Sequence, residues 1–168
     1  MVDDIGELSR LHGSTATRVE PAALDDLVSD AVATVVPLAD AAGLEIAASD
    51  LSGALVHVDA RGVTRAVTNM LRNAVQHTPR GGRVQVCTAS REGRIEVDVV
   101  DGCGGIPLDD LAHVFDPGWR GDGSRHERGM GLGLTITREV GRMHGGGARV
   151  ANLPDGSGCA VTLSLPAR

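Results

Sequence analysis

Apolar residues recur along this chain with two periods, and the switches between them mark its elements. The strongest helical stretch covers residues 61–77. Val63, Ala66, Val67, Met70, Leu71, Ala74 and Val75 fall on one side of an α-helix. Near the start, Val2, Ile5, Leu8 and Leu11 recur every three residues in a charged background. They predict the last turns of an amphipathic helix, broken at residues 13–17. A short strand is predicted at 17–20, and Pro21 then reads as the start of a helix over 22–42 that stops at Gly43. Pro37 is expected to end or kink that helix late.

Short strands are predicted at 44–48 and 55–59. Thr78-Pro79-Arg80-Gly81-Gly82 ends the strong helix in a turn. Alternating stretches at 83–90 and 94–101 flank Glu92-Gly93, a hairpin signal. Residues 102–128 are glycine-rich and polar, with one helical candidate at 108–115. A loop of that length inside a domain is a lid, a binding loop or disordered. A helix at 135–144 stops at Gly145-Gly146-Gly147, and strands at 148–152 and 159–165 flank a Pro154-Asp155-Gly156 turn. The pattern predicts an α/β fold, a two-layer sandwich. A mixed sheet of about five strands is covered on one face by three helices.

Composition narrows the picture. A length of 168 residues fits one domain with a short appendage. With one Phe, one Trp and no Tyr, the core must be aliphatic and alanine-rich. All 16 basic residues are Arg, which reads as a codon bias of the source. The net charge of −6 and the scatter of those arginines argue against nucleic acid as a partner. Cys87, Cys103 and Cys159 have no metal-ligand spacing, and an odd count suits a reducing compartment. No apolar run is long enough to span a bilayer and no signal-peptide pattern is present, so an intracellular soluble domain is expected.

Four segments carry candidate chemistry. Asn69 and Asn73 lie about 40° apart on the strong helix, with Gln76 on the same face. Stacked carboxamides can offer oxygens to a hard cation such as Mg²⁺, although a merely solvated face looks the same. Asp101 ends a strand with Ile95, Val97 and Val99 at the same parity, which aims its carboxylate at the apolar side. There it can accept from an exocyclic amine such as adenine N6, or cap the following turn. Gly102-Cys103-Gly104-Gly105-Ile106-Pro107 follows, a backbone able to pass over a flat ring or simply a loop. Gly129-Met130-Gly131-Leu132-Gly133-Leu134 runs into a helix, where free N–H groups favour phosphate; glycine clusters also make plain turns.

Taken in order, the segments are an Asn-x-x-x-Asn helix, a strand ending Asp-x-x-x-Gly-Ile-Pro, a long lid with Phe115 and Arg120, and Gly-x-Gly-x-Gly-Leu entering a helix. This series resembles the ATP-binding catalytic domain of sensor histidine kinases, in the superfamily of gyrase, MutL and Hsp90-type chaperones. It covers residues 15–166. The resemblance implies the Bergerat ATP-binding fold with a long ATP lid. It implies that Asn69 to His77 is the N box, with Asn73 the Mg²⁺ ligand, Asn69 beside the phosphates and His77 a ring near the nucleotide. Asp101 becomes the adenine reader of the first glycine box, with Gly105 and Ile106 lining it. The resemblance further implies that Phe115 anchors the lid and that Gly129, Met130, Gly131, Leu132, Gly133 and Leu134 cradle the β- and γ-phosphates. Arg120 and Arg125 are lid cations that could close on the triphosphate.

Departures from the family pattern are specific. Cys103 stands where the first box usually has a glycine. Gln76 stands where a Lys is frequent, so Arg72 or the lid arginines would supply that charge. Members that hydrolyse ATP carry a Glu four residues before the Mg²⁺-binding Asn; here that position is Asn69, and an amide is no general base. The resemblance therefore points to the histidine-kinase branch, whose nucleophile is an imidazole on another domain. None of His12, His57, His77, His113, His126 and His144 lies in the acceptor pattern.

The expectation is that residues 1–14 are the tail of a dimerisation and histidine-phosphotransfer helix and residues 15–168 the catalytic domain. It would bind Mg·ATP and donate the γ-phosphoryl group to a histidine on that separate domain. The alternatives are a nucleotide-gated interaction module without transfer, or an ATPase. The implied partners are the phosphotransfer domain of the same parent and a downstream response regulator, with no nucleic acid and no membrane insertion of this fragment. The fragment is expected to be monomeric. Its parent is expected to be a membrane-anchored homodimer with this domain in the cytoplasm.

Overall fold

The computed structural model describes residues 18–119 and 131–167. In chain order the elements are β1 (Glu20–Ala23), α1 (Leu24–Ala42), β2 (Glu45–Ala48), β3 (Leu55–Val58), α2 (Ala60–His77), β4 (Arg83–Arg91), β5 (Arg94–Asp101), the single turn α3 (Leu108–Leu111), α4 (Gly133–Met143), β6 (Gly147–Asn152) and β7 (Cys159–Pro166). Five strands make one mixed sheet in the order β2-β4-β5-β7-β6. β2 and β4 are parallel, and the other neighbours are antiparallel. Helices α1, α2 and α4 form the second layer, with α2 between the other two. This is the two-layer α/β sandwich that the pattern predicts.

The core between the layers is aliphatic. Val84, Val86, Val97, Val99, Val161 and Leu163 face Val63, Val67, Met70 and Leu71 of α2, and all are fully buried or nearly so. Phe115 and Trp119 pack only against the margin of this cluster. The opposite face of the sheet is polar, where Arg149 pairs with Glu96 and Thr162 donates to Asp98.

Helix α2 is held at its start by two devices. The Asp59 carboxylate caps it, accepting from Arg61 N at 3.1 Å and Gly62 N at 3.3 Å. His144, just past α4, accepts from Asp59 N through Nε2 at 2.9 Å, while its Nδ1 lies 2.7 Å from the Val140 carbonyl. The two helices are thus fixed in register at one end.

Four local expectations need correction. The early strand lies at Glu20–Ala23, and Pro21 is inside it and not at a helix start. β1 pairs antiparallel with β3 in a separate two-stranded sheet, Pro21 opposite His57. Such an edge tolerates a residue with no N–H. The helix start is thereby delayed to Leu24, whose N–H bonds to the Ala54 carbonyl. Pro37 neither ends nor shortens α1, which continues to Ala42. Pro37 and Ala33, whose carbonyl loses its partner, are both on the exposed side, where water can serve it. The helix expected at 108–115 is one turn, and α4 starts two residues before 135. The amphipathic segment within residues 1–17 lies outside the described residues.

Gly145-Gly146-Gly147 does more than stop a helix. A Cβ at Gly146 would run into the Ser164 carbonyl, so the crossing from α4 to β6 admits no side chain there. Among the described residues, no helix is long and apolar enough to cross a membrane.

Candidate functional site

The candidate residues meet along α2, which lies between two glycine-rich segments. Midway along α2, Asn69 faces the start of α4: a Cβ on Gly133 would stand 3.6 Å from the Asn69 Cβ. Thr137 locks this seam, donating to the Ala66 carbonyl of α2 at 3.2 Å while fully buried. The Asn69 side-chain nitrogen is buried there without a hydrogen-bond partner among the described residues. A buried, unpartnered donor marks a place for an acceptor. Among the described residues no side chain caps α4, whose first-turn N–H groups begin beside Asn69. Asn69 and the α4 terminus together make a donor set suited to an anion.

The segment before α4 is tied to the one after α3. Thr135 Oγ1 donates to the Phe115 carbonyl at 2.9 Å, and Gly118 N donates to the Gly131 carbonyl at 3.2 Å. Gly131 has φ +68°, and a Cβ there would lie 2.6 Å from the Trp119 carbonyl. Only glycine fits this approach. The Phe115 ring stacks under Arg138 of α4, 5.8 Å from guanidinium to centroid. Phe115 is thereby held against the start of α4. Leu132 and Leu134 are buried against the core and carry the turn rather than face a ligand with their side chains.

At the C-terminal end of α2, Thr78 packs under Gly102, its methyl 3.8 Å from where a Cβ would be. Asp101, the last residue of β5, is 3% exposed and points to the helix side, as strand alternation predicts. Its Oδ1 accepts from Cys103 N at 2.9 Å. The Cys159 thiol lies 3.4 Å from Oδ2 and 3.6 Å from Oδ1. Burial, and then the charge of Asp101, raise the Cys159 thiol well above its ordinary pKa. Burial also raises the Cys103 thiol, with the Asp101 contact next. The loop beyond is clamped by one carboxamide: Ile106 N donates to Asn152 Oδ1 at 2.7 Å, and Asn152 Nδ2 donates to the Ile106 carbonyl at 2.8 Å. Gly105 passes beside that clamp.

Asn69 and Thr78 are nine residues apart, about 13 Å along the α2 axis. Asn73 lies between them, half-buried on the face of Asn69. Arg72, Gln76 and His77 are exposed along the same helix. Arg120, Arg125, Gly129 and Met130 lie outside the described residues. Thr78, Thr135, Thr137, Asn152 and Cys159 belong to the site without having been singled out by pattern. Thr78 reads only as part of a turn, and Asn152 and Cys159 only as strand ends, because long-range pairing brings them here.

Comparison with known proteins bears on the family and the fold. Residues 58–168 match the family model described as histidine kinase-, DNA gyrase B-, and HSP90-like ATPase. The chain is 35% identical over 170 residues to the sensor-like histidine kinase SenX3 of Mycobacterium tuberculosis, covering 99% of this chain and 41% of SenX3. It thus spans about two-fifths of the length of that curated relative. The structure of the mycobacterial sensor histidine kinase MprB superposes with a TM-score of 0.81 at 30% identity, covering 89% of this chain and 99% of that one. The full-length ShkA structure in complex with AMPPNP matches with a TM-score of 0.80 at 25% identity, covering 98% of this chain and 35% of that one.

Proposed function

Because the chain belongs to the family of histidine kinase-, DNA gyrase B- and HSP90-like ATPases, we propose that it binds Mg·ATP along α2 and presents the γ-phosphoryl group to a histidine on a separate domain of its parent protein. Nucleotide binding goes with the family. The orientation, the metal and the acceptor are the proposal. The observation that carries it is the buried, unpartnered Asn69 amide against the uncapped start of α4. Those donors would take the phosphates, and the carboxylate of Asp101 at the far end would accept from the adenine amine.

The residues present fit Mg²⁺. Asn73 offers one hard, neutral oxygen between Asn69 and Thr78, and Mg²⁺ is usually held by few protein ligands together with phosphate oxygens and water. Once bound, the ion would neutralise phosphate charge. The chain's own part is positioning: Asn69 and the α4 amides hold the phosphates, Phe115 fixes the lid's root, and Asp101 sets the adenine. Phosphoryl transfer to an imidazole depends mainly on such positioning. Asn69 stands where a hydrolytic member needs a carboxylate, which favours transfer over hydrolysis. Arg120 and Arg125 are proposed as lid cations that close on the triphosphate. The parent is proposed to be a homodimeric, membrane-anchored sensor kinase with this domain in the cytoplasm, serving a response regulator.

Calorimetric titration of ADP with and without Mg²⁺, on the wild type and Asn73→Ala, tests the binding. Mg²⁺ should tighten binding to the wild type and much less to the variant. Radiolabelled ATP with the parent's separately produced histidine domain tests the transfer. Label on that domain and not on this chain is expected. Label on one of this chain's own histidines, or steady phosphate release that depends on Asn69, would overturn the kinase reading.

A further inference from the structure

Two thiols flank Asp101, and the nucleotide reading uses neither. Cys159 stands opposite Asp101 in the β5–β7 ladder and is 2% exposed. Cys103 lies two residues beyond Asp101 and is half-buried, with its Sγ 3.5 Å from the Cys159 Sγ. A disulfide sets the sulfurs about 2.05 Å apart, so they must close by about 1.5 Å. That is within reach of a loop residue turning toward a fixed strand. Cys87 cannot compete, since it pairs with Asp98 across β4 and β5, on the sheet face away from the helices.

We propose that Cys103 and Cys159 form an oxidisable thiol pair, and that their disulfide shuts the adenine end of the nucleotide site until it is reduced. The oxidant class is a peroxide. The sulfur of the more accessible Cys103 attacks one peroxide oxygen and the O–O bond breaks. Cys103 becomes a sulfenic acid, and the leaving hydroxide takes the thiol proton as water. The Cys159 sulfur then attacks the sulfenic sulfur. Its proton passes to the Asp101 carboxylate 3.4 Å away and on to the departing hydroxide, giving a second water. Two thiols lose two electrons, and one peroxide is reduced to two waters.

The new bond acts on Asp101 directly. It removes the Cys159 S–H donor and drags the Cys103 backbone, whose N–H holds Oδ1. The carboxylate loses both contacts that orient it. Both thiols are kept protonated by burial and by Asp101, so the pair is slow toward mild oxidant and needs that carboxylate as its base. The regulatory half of this inference rests on the nucleotide reading above; the bond itself does not.

The test uses the full chain carrying Cys87→Ser, so that only the pair remains. It is treated with hydrogen peroxide, then assayed by intact mass, by non-reducing peptide mapping and by calorimetric titration with ADP. The expected product is lighter by two hydrogens and yields a linked Cys103–Cys159 peptide. It should bind ADP at least about tenfold more weakly, as loss of a charge-assisted contact requires, and recover with dithiothreitol. Adding Cys159→Ser should leave ADP affinity, whatever its starting value, indifferent to peroxide followed by a brief reductant wash. A mass without the two-hydrogen loss would overturn the bond. So would restoration by a chelator in place of reductant, which would mean a thiol-bound metal. A linked peptide with unchanged ADP affinity would overturn the regulation. Failure of the untreated chain to bind ADP would refute the nucleotide reading and the regulation with it, while the mass would still decide the bond.

Discussion

Changing Asp101 to Asn keeps the shape of the side chain and removes its charge. The carboxylate is 3% exposed, with one oxygen 2.9 Å from the Cys103 N–H and the other 3.4 Å from the Cys159 thiol. Asn can keep the first contact through its own oxygen, so the loop after β5 keeps its anchor. The second oxygen becomes an NH₂ group, a donor placed where the proposed adenine amine is also a donor. A hydrogen bond to a charged group is worth about 1.5–3 kcal/mol, so ADP should bind about 10- to 150-fold more weakly. The nucleotide-free chain should melt close to the wild type, because a neutral amide is easier to bury than a carboxylate. Calorimetric titration with ADP and with GDP measures both parts. Guanine carries a carbonyl where adenine carries its amine, so the preference for ADP should narrow or invert. If Asp101→Asn stays folded, binds ADP within about threefold of the wild type and keeps the same preference, Asp101 does not read the base.

Other expectations follow from single contacts. Gly146→Ala places a Cβ against the Ser164 carbonyl and should destabilise the chain by about 1–3 kcal/mol or more in urea unfolding, whereas Gly147→Ala, with open space around it, should cost under about 0.5 kcal/mol. Gly131→Ala is strained by φ +68° and collides with the Trp119 carbonyl, so it should weaken ADP binding while the thermal unfolding of the core stays near the wild type. Glu96 is buried and held below the usual carboxylate range by its hydrogen bonds to Arg149. A lowered folded pKa means stability that is complete above the ordinary Glu value, about 4.3, and is lost as pH falls through the lower folded value. Thermal melts from neutral to acid pH should therefore fall more steeply for the wild type than for Glu96→Gln, and equal slopes would refute the pairing.

The legible parts of this protein are those whose information is local. The apolar stripe of α2 needs only the helical period, and the same period places Asn69 and Asn73 on one face. Strand alternation alone aims Asp101 at the helices. The contact of Phe115 with Thr135, which donates to its carbonyl from 20 residues away, has no local signal. Elements decided by a distant partner were read less well. β1 shifts toward Leu24 because β3 offers it an edge, and Pro37 survives inside α1 because that side of the helix faces water.

The chain alone determined which groups are available: two carboxamides one turn apart, a carboxylate at a strand end, glycines before a helix, three cysteines without a spacing that pairs them. Tertiary structure decided which of these meet. The β5–β7 register sets Cys159 opposite Asp101, and the turn after β5 swings Cys103 to within 3.5 Å of it. Side chains alternate between the faces of a sheet, so a slip of one residue in that register would send Cys159 to the far side. No local pattern encodes such a slip, because register is settled by burying whole faces at once.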